Sequence, residues 1–452
     1  MTVARQLAEF LSRTTVAELP SQALDYAAML ITSTIASAAA GRQIESSRIV
    51  RELAMERGGR AEASLWFEPN ARTSVADAAQ VNAVMSDAAA SDDSDLRNIV
   101  HAGTPCTAVS LAVAERTGAS GEAVLAAIVC GYEAAGRIGE AITPGFRQRG
   151  FHGCHGAVFA AAVAAARLQG LDAAQMAQAI ALSATSIGGL ATAADTSVAR
   201  EYHAGLAAML GVNAALAAQR GYRCEERVLE APQGFFEAVG GVDGAAGSAI
   251  ATRDLGAGWD ICTDMAIKLV PGGHPYHAIA EAAANAAREG KVTEPEVESI
   301  TIMRPGLTRL GGPLHPQTLI DMAHSPAYFA AAAVADQSFS WQHAGMRKIT
   351  DPAIHRLIDR VRLEPTPADP RFRQGATVTI HTRDGRTLSN TVHVPRGAAT
   401  LGIAWSDVDA KYRALSPAAG LDRQKIEVSL QQIHDFRTTP NVVTLLRMLE
   451  AV

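Results

Sequence analysis

Four clusters of polar side chains stand out in a chain otherwise rich in small apolar residues. Asp92, Asp93 and Ser94 precede His101. His152 and His155 sit among the glycines of RGFHGCHG, and Arg200, Glu201, Tyr202 and His203 open the segment AGLAA. Lys268 precedes PGGHPYH, which carries His274 and His277. Each cluster lies at the edge of a predicted helix. Together these residue types can hold a carboxylate and move a proton beside it: arginine and lysine supply the positive charge, and a neutral imidazole or a desolvated lysine accepts the proton. Any one cluster has an ordinary structural explanation, such as a capping aspartate, a core histidine or a solvated Arg–Glu pair. Four in one chain with no cofactor motif favour chemistry. No metal site is expected, because the histidines lack HxH or HExxH spacing and the five cysteines lack CxxC spacing. No cofactor is expected either, since GxxxxGK[ST], a strand-following GxGxxG and GxSxG are all missing from the sequence.

The elements that must position these clusters are mostly helical. Arg147–Ala166 starts polar and glycine-rich and becomes a run of alanine, valine and phenylalanine, which suits a helix buried on all sides. Helices are expected from Pro20 to Gly41, over Ser46–Arg57 and Ser74–Ala89, from Asp172 as a cap, and over Arg200–Arg220. A strand-like piece is expected at Ser64–Pro69, and nothing else before residue 260 calls for a sheet. Beyond that point Val297–Met303, Arg360–Leu363, Thr377–His381 and Thr391–Val394 read as strands, with Gly385 in a hairpin turn. Helices over His277–Arg288, Pro326–Ala335 and Asp351–Arg356 interleave with them. The fold class expected is mainly α: a large all-α helical domain over 1–264 and 400–452, plus a smaller α+β lid domain over 265–399.

At 452 residues the chain exceeds one ordinary core. A net charge of −6 offers no basic field for nucleic acid. The first segment is amphipathic and lacks a signal peptide's apolar core, and the later apolar runs are interrupted by polar residues or glycine, so no membrane partner is expected. Sparse, unpaired cysteines fit a cytoplasmic setting.

At the polar clusters the sequence resembles the MmgE/PrpD family. The resemblance rests on SDDSDLRNIVHAGTP (91–105), RGFHGCHG (149–156), REYHAGLAA (200–208), LEAPQGFF (229–236), IKLVPGGHPYH (267–277) and HSPAYFAAAAV (324–334), strung in family order. It implies a helical domain built from both chain ends, an α+β lid, a cleft between them and a homodimer. It also implies catalytic roles for His101, His152, Lys268 and Tyr328 around a di- or tricarboxylate, with no metal or organic cofactor. Arg200, His274, His277, Asp93 and His155 are expected to bind substrate, the paired aspartates mainly orienting His101.

Two departures from the family pattern bear on the substrate. Ala90 or Ser91 stands where another aspartate is usual, and Arg200 replaces a lysine. Arginine is a permanent cation and a poor proton shuttle, so a carboxylate-binding role is expected of it. The activity expected is proton abstraction next to a carboxylate by a dehydratase-like lyase. The alternatives are an epimerase of a dicarboxylate such as iminodisuccinate, a cis-aconitate-type decarboxylase, or a degenerate family member that only binds a small acid.

Overall fold

The computed structural model describes residues 1–186, 188–369 and 374–450. Two units emerge, Met1–Ile267 with Ile403–Val452, and Lys268–Gly402. The first is helical and packs around the helix Cys154–Leu168, buried at every residue from Cys154 to Ala166. Small side chains let its neighbours approach closely. A Cβ on Gly131, in the helix Gly121–Ile142, would stand 2.7 Å from the Ala160 carbonyl oxygen. One on Gly211, in the helix Ala199–Gln219, would stand 2.4 Å from the Ala161 Cβ. Alanine on the central helix and glycine on its neighbours therefore set these spacings together.

Local signals fix where helices begin. The Ser74 hydroxyl accepts from the Asp77 N–H at 3.2 Å and caps Val75–Ala88. Asp172 caps Ala173–Ser183 through the Gln175 N–H at 2.8 Å. The helix Ser21–Gly41 has the length and apolar composition to cross a membrane, but 89% of its apolar window is buried inside the structure, as in a core helix.

The helical unit also holds short ladders that its sequence pattern did not call for. Ala63–Ser64 pairs with Arg72–Thr73. The expected strand Ser64–Pro69 ends almost as it begins, because the chain turns through Phe67 at φ 65° and Asn70 at φ 58°. Asp93–Asp95 pairs antiparallel with Met265–Ile267, joining Asp93 to Ile267 and Asp95 to Met265. The two partners lie far apart in sequence, and DSD has none of the apolar alternation that marks a strand.

The second unit carries a four-stranded sheet in the order Val361–Leu363, Val297–Met303, Ala376–Thr382, Thr387–Val392. The first two strands run parallel and the other neighbours antiparallel. Buried and half-buried residues alternate along Ala376–Thr382, the signature of a sheet with one covered face. Its core joins Ile300, Ile302, Val378 and Ile380 of the strands to two helices. The helix His277–Glu289 contributes Ile279 and Ala283, and the helix Pro326–Asp336 contributes Tyr328 and Phe329.

Candidate active site

The strand Asp93–Asp95 turns an acidic loop inward, where Asp92, Asp93 and Asp95 are each 1% exposed. Its backbone places Asp92 against His101, with Oδ2 2.8 Å from the imidazole Nδ1. The Asp93 carbonyl oxygen lies 2.6 Å from the same nitrogen. A carboxylate and a carbonyl can only accept, so Nδ1 carries a hydrogen. The Asp93 carboxylate is itself engaged within the unit: it accepts from the Gly103 N–H at 3.0 Å, the Thr104 N–H at 3.2 Å and the Tyr132 hydroxyl at 3.1 Å. Burial, then the charge of Asp92, push its carboxyl up to about 6. Asp93 thus caps the helix Gly103–Thr117 and holds His101 through its backbone.

His152 sits just ahead of the central helix in a loop held by the bridge between Phe151 and Leu190. Its N–H donates to the Gly189 carbonyl at 3.0 Å, and the Ala191 N–H donates to the Gly150 carbonyl at 2.8 Å. The ring centroid lies 6.4 Å from that of His101 and 5.1 Å from that of His203 on the helix Ala199–Gln219. Burial holds His152 well below the usual imidazole range, helped by the neighbouring His101 and His203, which disfavour a second protonated ring, and by the charges of Arg147 and Arg200. His155 and His203 are lowered chiefly by burial as well. His155 meets Phe151 edge-on at 4.9 Å. Nδ1 of His152, Nε2 of His155 and Nδ1 of His203 are buried without a hydrogen-bond partner among the described residues. His152, Cys154 and His203 also offer donor atoms that all lie within 4.8 Å of one another, a grouping that the sequence spacing does not reveal.

Arg200 is buried, and its Nε donates to the Asp87 Oδ2 at 2.9 Å, while Nη2 donates to the Asp87 carbonyl at 2.5 Å. The cation expected to hold a substrate carboxylate already holds one from the chain. Beside it, Glu201 accepts from the Ser46 hydroxyl at 2.8 Å.

Within the α+β unit, Lys268, His274 and His277 are all buried. The His274 and His277 rings stand 4.5 Å apart, and His277 Nε2 lies 3.3 Å from the Gly272 carbonyl oxygen. Tyr328 is completely buried and donates its hydroxyl to the His343 carbonyl at 2.9 Å. Burial pushes that phenol above its ordinary range. The family resemblance points to acid–base work for Tyr328, whereas here it is a core side chain. Of the expected site residues, the helical unit brings His101 beside His152 and the Asp93 backbone and pairs Arg200 with Asp87, while the α+β unit brings His274 beside His277 and begins at Lys268.

The MmgE/PrpD N-terminal domain matches residues 5–246, and the MmgE/PrpD C-terminal domain matches residues 271–435. The chain belongs to the MmgE/PrpD family. Among the relatives of this family member is cis-aconitate decarboxylase of Mus musculus, 25% identical over 304 residues, which cover 64% of this chain and 60% of that protein. Cis-aconitate decarboxylase of Homo sapiens is 24% identical over 261 residues, covering 56% of this chain and 53% of that protein. The chain thus spans somewhat more than half the length of these curated relatives.

Three residues of this MmgE/PrpD chain escaped the sequence reading as site members. Asp87 lies inside the helix Val75–Ala88, where one acidic residue reads as surface. His203 was visible in its cluster, but nothing in the spacing joined it to His152. Cys154 lies between two histidines in the sequence, and in the structure it groups with His152 and His203.

Proposed function

We propose that this protein is a cofactor-independent lyase that takes a proton from carbon next to a carboxylate of a di- or tricarboxylate, in the manner of a dehydratase. The observation that carries this reading is the row His101–His152–His203, with Asp92 2.8 Å from His101 and His152 held below the usual imidazole range by burial. A neutral imidazole in a desolvated setting can accept a carbon-bound proton, and a second imidazole anchored to a carboxylate is stabilised when it becomes charged. His152 is assigned as the base and His101, backed by Asp92, as the partner that returns a proton to the leaving group. Within the α+β unit by itself, Lys268, His274 and His277 are assigned to carboxylate binding, since a lysine or a protonated histidine supplies positive charge.

The relatives named cis-aconitate decarboxylase support a second reading in which carbon dioxide leaves in place of the proton. The same imidazoles then protonate the carbanion that remains.

Proton NMR in D₂O with citrate, 2-methylcitrate, cis-aconitate and iminodisuccinate separates these outcomes. Deuterium is expected at a carbon beside a carboxylate, and the product, whether alkene, epimer or decarboxylated acid, names the reaction. His152→Ala is expected to keep the fold by circular dichroism and to lower the rate by a factor of about 10² or more. An unchanged rate removes His152 from the mechanism, and inertness of every acid in the set overturns proton abstraction on it.

A further inference from the structure

The buried donors around His152 carry a consequence beyond proton transfer. His152, Cys154 and His203 present two imidazole nitrogens and one sulfur within 4.8 Å of one another. Two of the imidazole nitrogens here, His152 Nδ1 and His203 Nδ1, are buried with no hydrogen-bond partner among the described residues. Such nitrogens are costly to bury unless something occupies them. The space between the donors is kept by Gly189, where a Cβ would fall 2.5 Å from the Cys154 sulfur and 3.3 Å from His203 Nδ1. The bridge between Phe151 and Leu190 holds the two loops that carry Gly189 and Cys154 side by side.

We propose that His152, Cys154 and His203 form a binding site for a thiophilic divalent cation of the zinc class, and that a bound ion takes His152 out of proton transfer. The first half rests on the donor cluster alone, and the second also rests on the role given to His152 under the proposed function. Two nitrogens and one thiolate are a donor set that zinc accepts, with about 2.0–2.1 Å to nitrogen and about 2.3 Å to sulfur, leaving a fourth tetrahedral position for water. Donors in such a site stand about 3.5 Å apart, so the three close in by roughly an ångström as the ion enters. Burial keeps both imidazoles neutral, the form in which they ligate, so no proton need be displaced from them. It also pushes the Cys154 thiol up to about 12, so the thiolate forms only as the metal binds and one proton passes to solvent.

The test begins with chelator-treated protein titrated with cobalt(II) as a spectroscopic substitute for zinc. Saturation is expected at one cobalt per chain, with visible bands of a tetrahedral ion and a near-ultraviolet thiolate-to-cobalt band, both removed by zinc. Cys154→Ser is expected to abolish the thiolate band and weaken zinc binding at least tenfold. Gly189→Ala, which keeps every donor but fills the space between them, is expected to weaken it in the same direction and covers the case in which Cys154→Ser does not fold. A thiolate band that survives in Cys154→Ser, or none in the unaltered protein, overturns the site. Zinc should also suppress deuterium exchange from substrate with a half-effect at the dissociation constant read from the titration. Exchange that persists at saturating zinc overturns the link to His152. If no acid is turned over at all, the cobalt titration still decides the metal site, and the proposed function fails separately.

Discussion

Arg200 and Asp87 form an ion pair inside the helical unit. A buried guanidinium in a helical protein needs a carboxylate, and from the sequence the substrate was the obvious source. The structure supplies Asp87 instead, with Nε to Oδ2 at 2.9 Å and both side chains almost fully enclosed. Removing one member of such a pair leaves the other charged and unpaired in a poorly solvated place. Arg200→Ala is therefore expected to lower stability by about 3–5 kcal/mol. The double variant Arg200→Ala with Asp87→Ala should lose less than Arg200→Ala alone, because no orphan charge remains. Urea unfolding of the four proteins measures the coupling. Costs that simply add would mean the two side chains act independently.

At the scale of elements, apolar periodicity was the reliable guide, and pairing across long sequence distances was not. The strand expected at Val297–Met303 forms over those same residues, and the hairpin around Gly385 joins Ala376–Thr382 to Thr387–Val392. The helix Pro326–Asp336 lies within a residue of its expected bounds. The ladder between Asp93–Asp95 and Met265–Ile267 was not legible, although it positions His101, because three polar residues in a row give no strand signal. The candidate site was legible to the same degree: histidines flanked by glycine announced themselves, whereas their mutual distances depend on how the helices Cys154–Leu168 and Ala199–Gln219 pack. That packing can be tested directly. Gly211→Val places a side chain where a Cβ alone would stand 2.4 Å from the Ala161 Cβ. It should destabilise by about 1–3 kcal/mol through overpacking. Gly258→Ala, with open space around it, is the control and should stay within about 0.5 kcal/mol. Equal effects would show that helix spacing at Gly211 is not the constraint.

For the whole molecule, the buried ionisable groups make stability depend on pH in two opposed ways. His152, His155, His203 and His343 are all lowered by burial, so the unfolded chain binds their protons first. Their contribution falls as pH drops below the ordinary imidazole value of about 6.5. Asp95 behaves in the other direction. Burial and the neighbouring charge of Asp264 push its carboxyl up to about 7, against the pull of Arg97 and of the N–H groups of Arg97 and Asn98. The folded protein therefore keeps a proton on Asp95 where the unfolded chain has lost it, and that contribution declines as pH rises from about 4 to about 7. Asp95→Asn retains an oxygen for the two N–H donors, at 2.8 and 3.1 Å, but removes the titrating charge. Relative to the unaltered protein, its melting temperature should rise steadily between pH 4 and pH 7 and hold a constant advantage above that. A difference of at least about 3 °C across the window corresponds to roughly 3 kcal/mol in a chain of this size. Differential scanning calorimetry over that range reads the effect without any substrate. A flat difference would mean that the folded protein holds Asp95 charged throughout, with Arg97 outweighing burial.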